Sequence, residues 1–452
     1  MPHTIAMIGA GSFFTDSVTE GLCRQPDLFA GSTFTLVDSD DERLRLSLHR
    51  QEKIVREAGV DITLAATTDR RRALAGCDYV VTSFDRDRAR TWLRDIEIPQ
   101  ASGVHCWLGE NGGPGGQAHA MRNITVFMDI AKDMEELCPD AWLMNFTNPM
   151  SFVCTYMRRY TSIKTLGFCH QVHGSMGVVA EMLGYEPGDL EVISGGINHF
   201  NWLVDIRRKG SAESFMEAFK EKVLASEWWH RILPNVPEQI FTREILETFD
   251  AYPIGYDSHI AEYLPFFYDV DERARLGFPD HATHLKAFIA KRDALAVATD
   301  EEKQAAESMA RSEFQNVPFP KDGTHPWYRE LTTDVMEAFA ANQPLHLTSI
   351  VIPNHGSIDN LPHDAIVDIP AVAIGGAVRG LHVGPLPPFA AELCRRQIAI
   401  HELLCEATVE GSRLKFRQSL ALDPYVRSMS QARDIADAFL AEYRDDLPQF
   451  WS

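Results

Sequence analysis

The chain has 452 residues and a formal charge of −21 at pH 7, an acid excess that argues against a nucleic-acid or anionic-membrane surface, because phosphate binding rests on Lys and Arg. Its length predicts two or three compact units. No uninterrupted apolar run approaches the ~20 residues that span a bilayer, and the N-terminus enters a strand pattern without a basic n-region, apolar core or cleavage site, so a cytoplasmic protein is expected. The eight cysteines show no Cys-x-x-Cys spacing, which excludes a zinc ribbon and argues against a disulfide framework. Most read as small core hydrophobes. Cys169 stands apart, because it lies just past a strand and His170 follows it.

In chain order, a strand over His3 to Ile8 runs into Gly9-Ala-Gly11-Ser12-Phe13, and helical character follows from Ser17 to Cys23. A strand, a tight glycine turn and a helix N-terminus turn backbone N–H groups toward a pyrophosphate. The third glycine of that fingerprint is missing, since Phe14 occupies its place. Asp38 ends a second strand 27 residues after Gly11. A carboxylate there accepts both ribose hydroxyls of an adenosine and repels a 2′-phosphate, which favours NAD over NADP. The plainer alternative is an ordinary βα turn followed by a surface acid.

A charged helix is predicted over Asp40 to Ala58, a helix end and a strand over Ala73 to Ser83, and a strand over Ala141 to Asn145. This βαβ rhythm predicts an α/β fold with a doubly wound, Rossmann-like sheet. A glycine-rich loop from Trp107 to Gln117 precedes a helix to Glu136, and its glycines either close over a ligand or make turns. Beyond His199, which closes an apolar strand-like segment, the alternation loosens. Helices are expected over 214–229, 286–311 and 389–409, with strands running to Ala377. The expected organisation is a nucleotide-binding domain over residues 1–170 and a mixed α+β domain over 171–452, with the site between them.

Chemistry-bearing residues concentrate in Asn145-Phe-Thr-Asn148-Pro, Cys169-His170-Gln171-Val-His173-Gly174, Asn198-His199 and Tyr256-Asp257-Ser-His259-Ile-Ala-Glu262. Together with Gly9-x-Gly11-Ser12, Gly112-Gly-Pro-Gly-Gly116 and Asn354-x-Gly-x-Ile-x-Asn360-Leu-Pro, their order resembles glycoside hydrolase family 4. The likeness covers nearly the whole chain. It implies an NAD+- and Mn2+-dependent glycosidase rather than a two-carboxylate one. In such enzymes NAD+ takes the C3 hydride of the sugar and a base removes the acidified C2 proton. The C1–O bond then breaks by elimination, water adds and the hydride returns.

Carried over by matching motif, the resemblance makes Cys169 and His199 the metal ligands. It assigns Gly9, Gly11, Ser12, Phe13 and Asp38 to NAD+, and His170 to the leaving-group acid or a substrate contact. Asp257 or Tyr256 is the C2 base, with Asp257 favoured. Asn148, Gln171, His259 and Glu262 are given to sugar hydroxyls or the metal shell. Two protein ligands leave most of an ion's shell to substrate and water, and a soft thiolate is not manganese's ideal partner. Taken alone, Cys169 also reads as a buried thiol and His199 as a satisfied core imidazole.

Relatives with Cys-His here act on non-phosphorylated α-glycosides. Gln171 departs from the residues usual next, although the surroundings look closest to the uronide-cleaving branch. The α-galacturonides, α-glucuronides, α-galactosides and α-glucosides all stay open. The rivals are a lactate- or malate-type 2-hydroxy acid dehydrogenase and a non-catalytic NAD-binding sensor. A homodimer or homotetramer is expected.

Overall fold

The computed structural model describes residues 2–225, 240–267, 270–275, 280–296 and 331–451. Its strands are β1 (Thr4–Ile8), β2 (Ser32–Val37), β3 (Ile62–Thr67), β4 (Tyr79–Thr82), β5 (Trp142–Asn145), β6 (Lys164–Gly167), β7 (Leu190–Ile197), β8 (Phe200–Arg208), β9 (Pro253–Ile254), β10 (Leu345–Pro353), β11 (Ile366–Ile374) and β12 (Ala377–Gly380).

The first six form a parallel sheet in the order β3-β2-β1-β4-β5-β6. Runs such as Tyr-Val-Val-Thr in β4 are buried at every position, as befits a strand covered by helices on both faces. The doubly wound expectation holds. The later strands do not build a separate sheet, however. β10 pairs antiparallel with β6 through Val351 and Gly167, and β11, β7, β8 and β9 continue the same twelve-stranded sheet, with β12 beside β11.

Two local expectations change. The helix expected from Gln117 begins at Gly113 and runs to Leu137. Its glycines are contact points, since a Cβ on Gly115 would lie 2.8 Å from the Asp95 carbonyl oxygen and one on Gly116 would lie 2.5 Å from the Asn111 carbonyl carbon. His199 follows the apolar strand β7 as expected, but that strand is antiparallel to its neighbours rather than part of the parallel sheet. His199 sits in the two-residue turn of the β7–β8 hairpin, where Ile197 pairs with Phe200, and takes a left-handed φ of 64°.

The long helix Pro388–Glu410 fastens the C-terminal part onto the N-terminal layers. The His401 ring meets that of Phe152 edge-on at 4.2 Å. All eight cysteines are free, and all but Cys23 and Cys169 are buried, in keeping with core packing. The other helices expected late in the chain are described as Met216–Ala225 and His281–Ala296. The remainder of those predicted spans, 226–229 and 297–311, lies outside the described residues. Among the described residues no helix is long and apolar enough to cross a membrane.

Candidate active site

The glycine turn after β1 is built as its sequence requires. Gly9 has φ 89°, and a Cβ there would lie 2.0 Å from the Ser83 carbonyl oxygen, so no other residue fits. The Gly11 amide donates to Asp38 Oδ2 at 2.9 Å, the Asp40 amide donates to Asp38 Oδ1 at 3.1 Å, and the Ser12 and Ser83 hydroxyls are 2.8 Å apart. Phe13 is exposed. Phe14 replaces the third glycine because its ring stacks on Phe146, 4.6 Å between centroids and 16° from parallel. The helix Phe14–Arg24 thus packs through an aromatic side chain onto the Asn145–Pro149 turn. The His170 ring lies 6.3 Å from Phe14, which places the start of this helix beside Cys169-His170.

At the end of β5, Asn145 is fully buried. Its Oδ1 accepts from Thr82 Oγ1 at 2.9 Å and the Thr147 amide at 3.0 Å, and its Nδ2 donates to the Thr147 carbonyl. It locks the turn. Asn148 is half-buried, and its Oδ1 has no hydrogen-bond partner among the described residues. Past β6, Cys169 is half-buried and its sulfur accepts the Gln171 amide at 3.4 Å, at the start of the helix Gln171–Leu183. His170 is exposed. Gln171 is buried beneath Gly255, and its Nε2 contacts the Ile254 carbonyl at 3.4 Å.

His199 is buried, and its Nδ1 has no hydrogen-bond partner among the described residues. Burial drives its pKa well below the usual histidine value, and the charges of His259, His170 and Arg88 push the same way. The imidazole therefore stays unprotonated at neutral pH, the state in which it binds a metal ion. Tyr263 donates to the Asn198 carbonyl at 3.2 Å, and burial raises its pKa well above the ordinary value, helped by the charges of Glu262, Glu110 and Cys169. Tyr263 thus links the two segments, feeling the charge of Cys169 while bonded to the residue before His199, and a thiolate with an imidazole is a donor pair that suits a first-row divalent ion.

The Asp257 carboxylate, expected as the base, is engaged in backbone hydrogen bonds. The residue is fully buried, and its carboxylate accepts from the Phe241 and Thr242 amides, each at 2.9 Å, and from Thr242 Oγ1 at 2.5 Å. That is the task of a cap at the start of the helix Ile240–Phe249, where unpaired amides attract a carboxylate. Tyr256 is half-buried. Its hydroxyl closes on Gly174, where a Cβ would lie 3.2 Å away, and its ring lies 6.5 Å from His259. Glu262 is buried and bonded to the glycine loop, with its Oε1 3.2 Å from His259 Nδ1.

Sequence reasoning passed over several groups clustered around Glu110, beside His259 and Glu262. Glu110 is buried and paired with Arg88. Burial alone would raise its pKa, but Arg88, His259 and His119 prevail and hold it below the usual range. His119 sits 3.0 Å from Asp85 and its Nδ1 contacts the Glu110 carbonyl at 2.8 Å. Burial would depress His119, yet Asp85 raises it. Asn123 bridges His119 to the Asn148 carbonyl. The Glu110-Asn111 pair ahead of Gly112 was the one local signal for this network, because Arg88 and Asp85 arrive from another strand end.

The motif residues Asn354 and Asn360 are structural. Asn354 Nδ2 donates to the Ile358, Leu361 and Pro362 carbonyls and its Oδ1 accepts the Ile358 amide, while Asn360 exchanges two hydrogen bonds with Leu386.

Residues 4–185 match the family model "Family 4 glycosyl hydrolase", and residues 194–426 match that of its C-terminal domain. The chain belongs to the family 4 glycosyl hydrolases. Among relatives of this family 4 enzyme, an alpha-glucosidase of Erwinia rhapontici is 28% identical over 98% of both chains, and an alpha-galactosidase of Bacillus subtilis is 29% identical over 99% of both. A 6-phospho-alpha-glucosidase from gut microorganisms, solved in complex with NAD and Mn2+, superposes with a TM-score of 0.79 at 20% identity, over 99% of this chain and 100% of that one.

Proposed function

We propose that this family 4 glycosyl hydrolase is an NAD+- and Mn2+-dependent glycosidase acting on non-phosphorylated α-hexosides or α-hexuronides. The observation that carries the reading is the buried Nδ1 of His199, without a hydrogen-bond partner among the described residues, in a ring whose electrostatic neighbours include His170, next to Cys169. Gly9, Gly11 and Ser12 would hold the dinucleotide phosphates, Asp38 the adenosine ribose, and Cys169 and His199 the cation. When bound, these groups supply a hydride acceptor for C3 and a Lewis acid that acidifies the C2 proton.

The chain's own residues do the rest. Tyr256, beside Gly174 and His259, takes the C2 proton, since the Asp257 carboxylate is committed to its helix cap. His170, which is exposed, protonates the departing oxygen. The Asn148 amide orients a sugar hydroxyl with its partnerless Oδ1. Arg88, whose charge reaches His199, is paired with Glu110, so it does not offer the clamp that a 6-phosphate requires. On this reading the enzyme works in the cytoplasm as a homodimer or homotetramer, and its acid excess disfavours nucleic-acid or anionic-membrane partners.

The test is a panel of nitrophenyl α- and β-hexosides and hexuronides assayed with NAD+, Mn2+ and thiol. Turnover at catalytic NAD+, with loss of C2 deuterium to solvent, is expected. Stoichiometric NADH from a 2-hydroxy acid, with no glycoside cleaved, would establish the dehydrogenase rival instead.

A further inference from the structure

Glu262 makes more directed hydrogen bonds than any sugar contact would leave room for. Its Oε2 accepts from the backbone amides of Glu110 and Asn111, each at 2.6 Å, and of Gly112 at 3.1 Å. Its Oε1 accepts from Asn111 Nδ2 at 3.1 Å and meets His259 Nδ1 at 3.2 Å. The loop is seated directly on this residue, for a Cβ on Gly112 would lie 2.6 Å from the Glu262 carbonyl oxygen. A carboxylate only accepts, so His259 Nδ1 carries the proton. The Asn111 amide, at 3.5 Å from the same nitrogen, is the weaker neighbour and does not reverse that tautomer.

The His259 ring in turn lies against His199, 4.1 Å between centroids and 17° from parallel. A ring nitrogen binds a metal ion in its own plane at about 2 Å. Two nearly parallel rings so spaced cannot both direct in-plane lone pairs at one ion. His259 is therefore a plate against which the His199 ring is set. One oxygen each of Glu110 and Glu262 and a nitrogen of His259 lie within 4.8 Å of one another, but Glu110 is paired with Arg88 and Glu262 is spent on the loop amides, so the cluster is a hydrogen-bond network.

We infer that Glu262 is a positioning residue that joins the Glu110–Gly112 loop to the cation site, acting through His259 on the plane of the His199 ring. This rests on the metal reading of His199 proposed above. Outer partners of this kind hold a ligand's orientation and change metal affinity by about 10- to 100-fold when removed.

The experiment titrates Mn2+ into the NAD+-loaded full chain without substrate, by calorimetry or by the electron paramagnetic resonance of free Mn2+, alongside amide hydrogen exchange of the 110–112 loop. Glu262→Gln should weaken the ion about tenfold or more and speed loop exchange. His259→Phe keeps a stacking ring without the Nδ1 bond. It should weaken the ion while leaving loop exchange unchanged, and the double variant should be no weaker than His259→Phe alone, because the two act in series. Wild-type affinity in either single variant, or additive losses, would overturn the inference. If Glu262→Gln does not fold, His259→Phe decides it alone. Failure of the underlying metal reading looks different: His199→Ala would then bind Mn2+ as the wild type does.

Discussion

The Gly11 amide donates to Asp38 Oδ2 at 2.9 Å, so the glycine turn and the acid at the end of the second strand are parts of one hydrogen-bonded unit. A Cβ on Gly11 would come to 3.1 Å of the same oxygen, which keeps position 11 small. Asp38→Asn should weaken NAD+ binding about tenfold or more, the worth of a hydrogen bond to a charged group, and narrow the preference over NADP+. Fluorescence titration with both nucleotides measures this. An unchanged ratio would free Asp38 from any role in cofactor choice.

Asp257 and Tyr256 are adjacent but should fail in different ways. Asp257→Asn turns an amide group toward donors and should destabilise the fold by about 1–3 kcal/mol, seen as a lower melting temperature. Tyr256→Phe should melt close to wild type while losing turnover and the exchange of C2 deuterium with solvent. The opposite pattern would hand the base back to Asp257.

Thiol reactivity should single out Cys169. Burial pushes the Cys77, Cys154 and Cys394 thiols up to about 12, so they react slowly at neutral pH. Alkylation by iodoacetamide, mapped by mass spectrometry, should label Cys169 before these three, and Mn2+ with NAD+ should slow it. Equal labelling with and without the ion would count against sulfur as a ligand.

Asp423 supplies a pH test away from the site. Burial raises it to about 6, against hydrogen bonds from the Tyr425 amide and Gln117 Nε2. Its folded pKa lies above the unfolded value of about 3.9, so the folded state holds the proton more tightly. The resulting stability is full below about pH 4 and is lost as pH rises through 6, at up to about 1.4 kcal/mol per pH unit. Urea unfolding from pH 4 to 7 should show a component of this slope that Asp423→Asn removes. A slope that is the same in both proteins would mean Asp423 titrates normally.

What the sequence determined by itself was local: a strand, a glycine turn and an acid at Gly9 to Asp38, and a thiol and imidazole just past another strand. Short spacings along the chain become short spacings along one sheet edge, so residue types and intervals suffice there. The tertiary structure decided the rest. Phe14 replaces a glycine because Phe146 arrives to stack on it, and Asp257 becomes a helix cap because the amides of Phe241 and Thr242 fold over it. His199 occupies a hairpin turn, and Glu262 grips a loop about 150 residues before it. Gly167 pairs with Val351, which joins the strands of both expected domains into one sheet. In each case a side chain's task is set by whichever distant atoms fill its hydrogen bonds and its packing, and no pattern of neighbours along the chain carries that information.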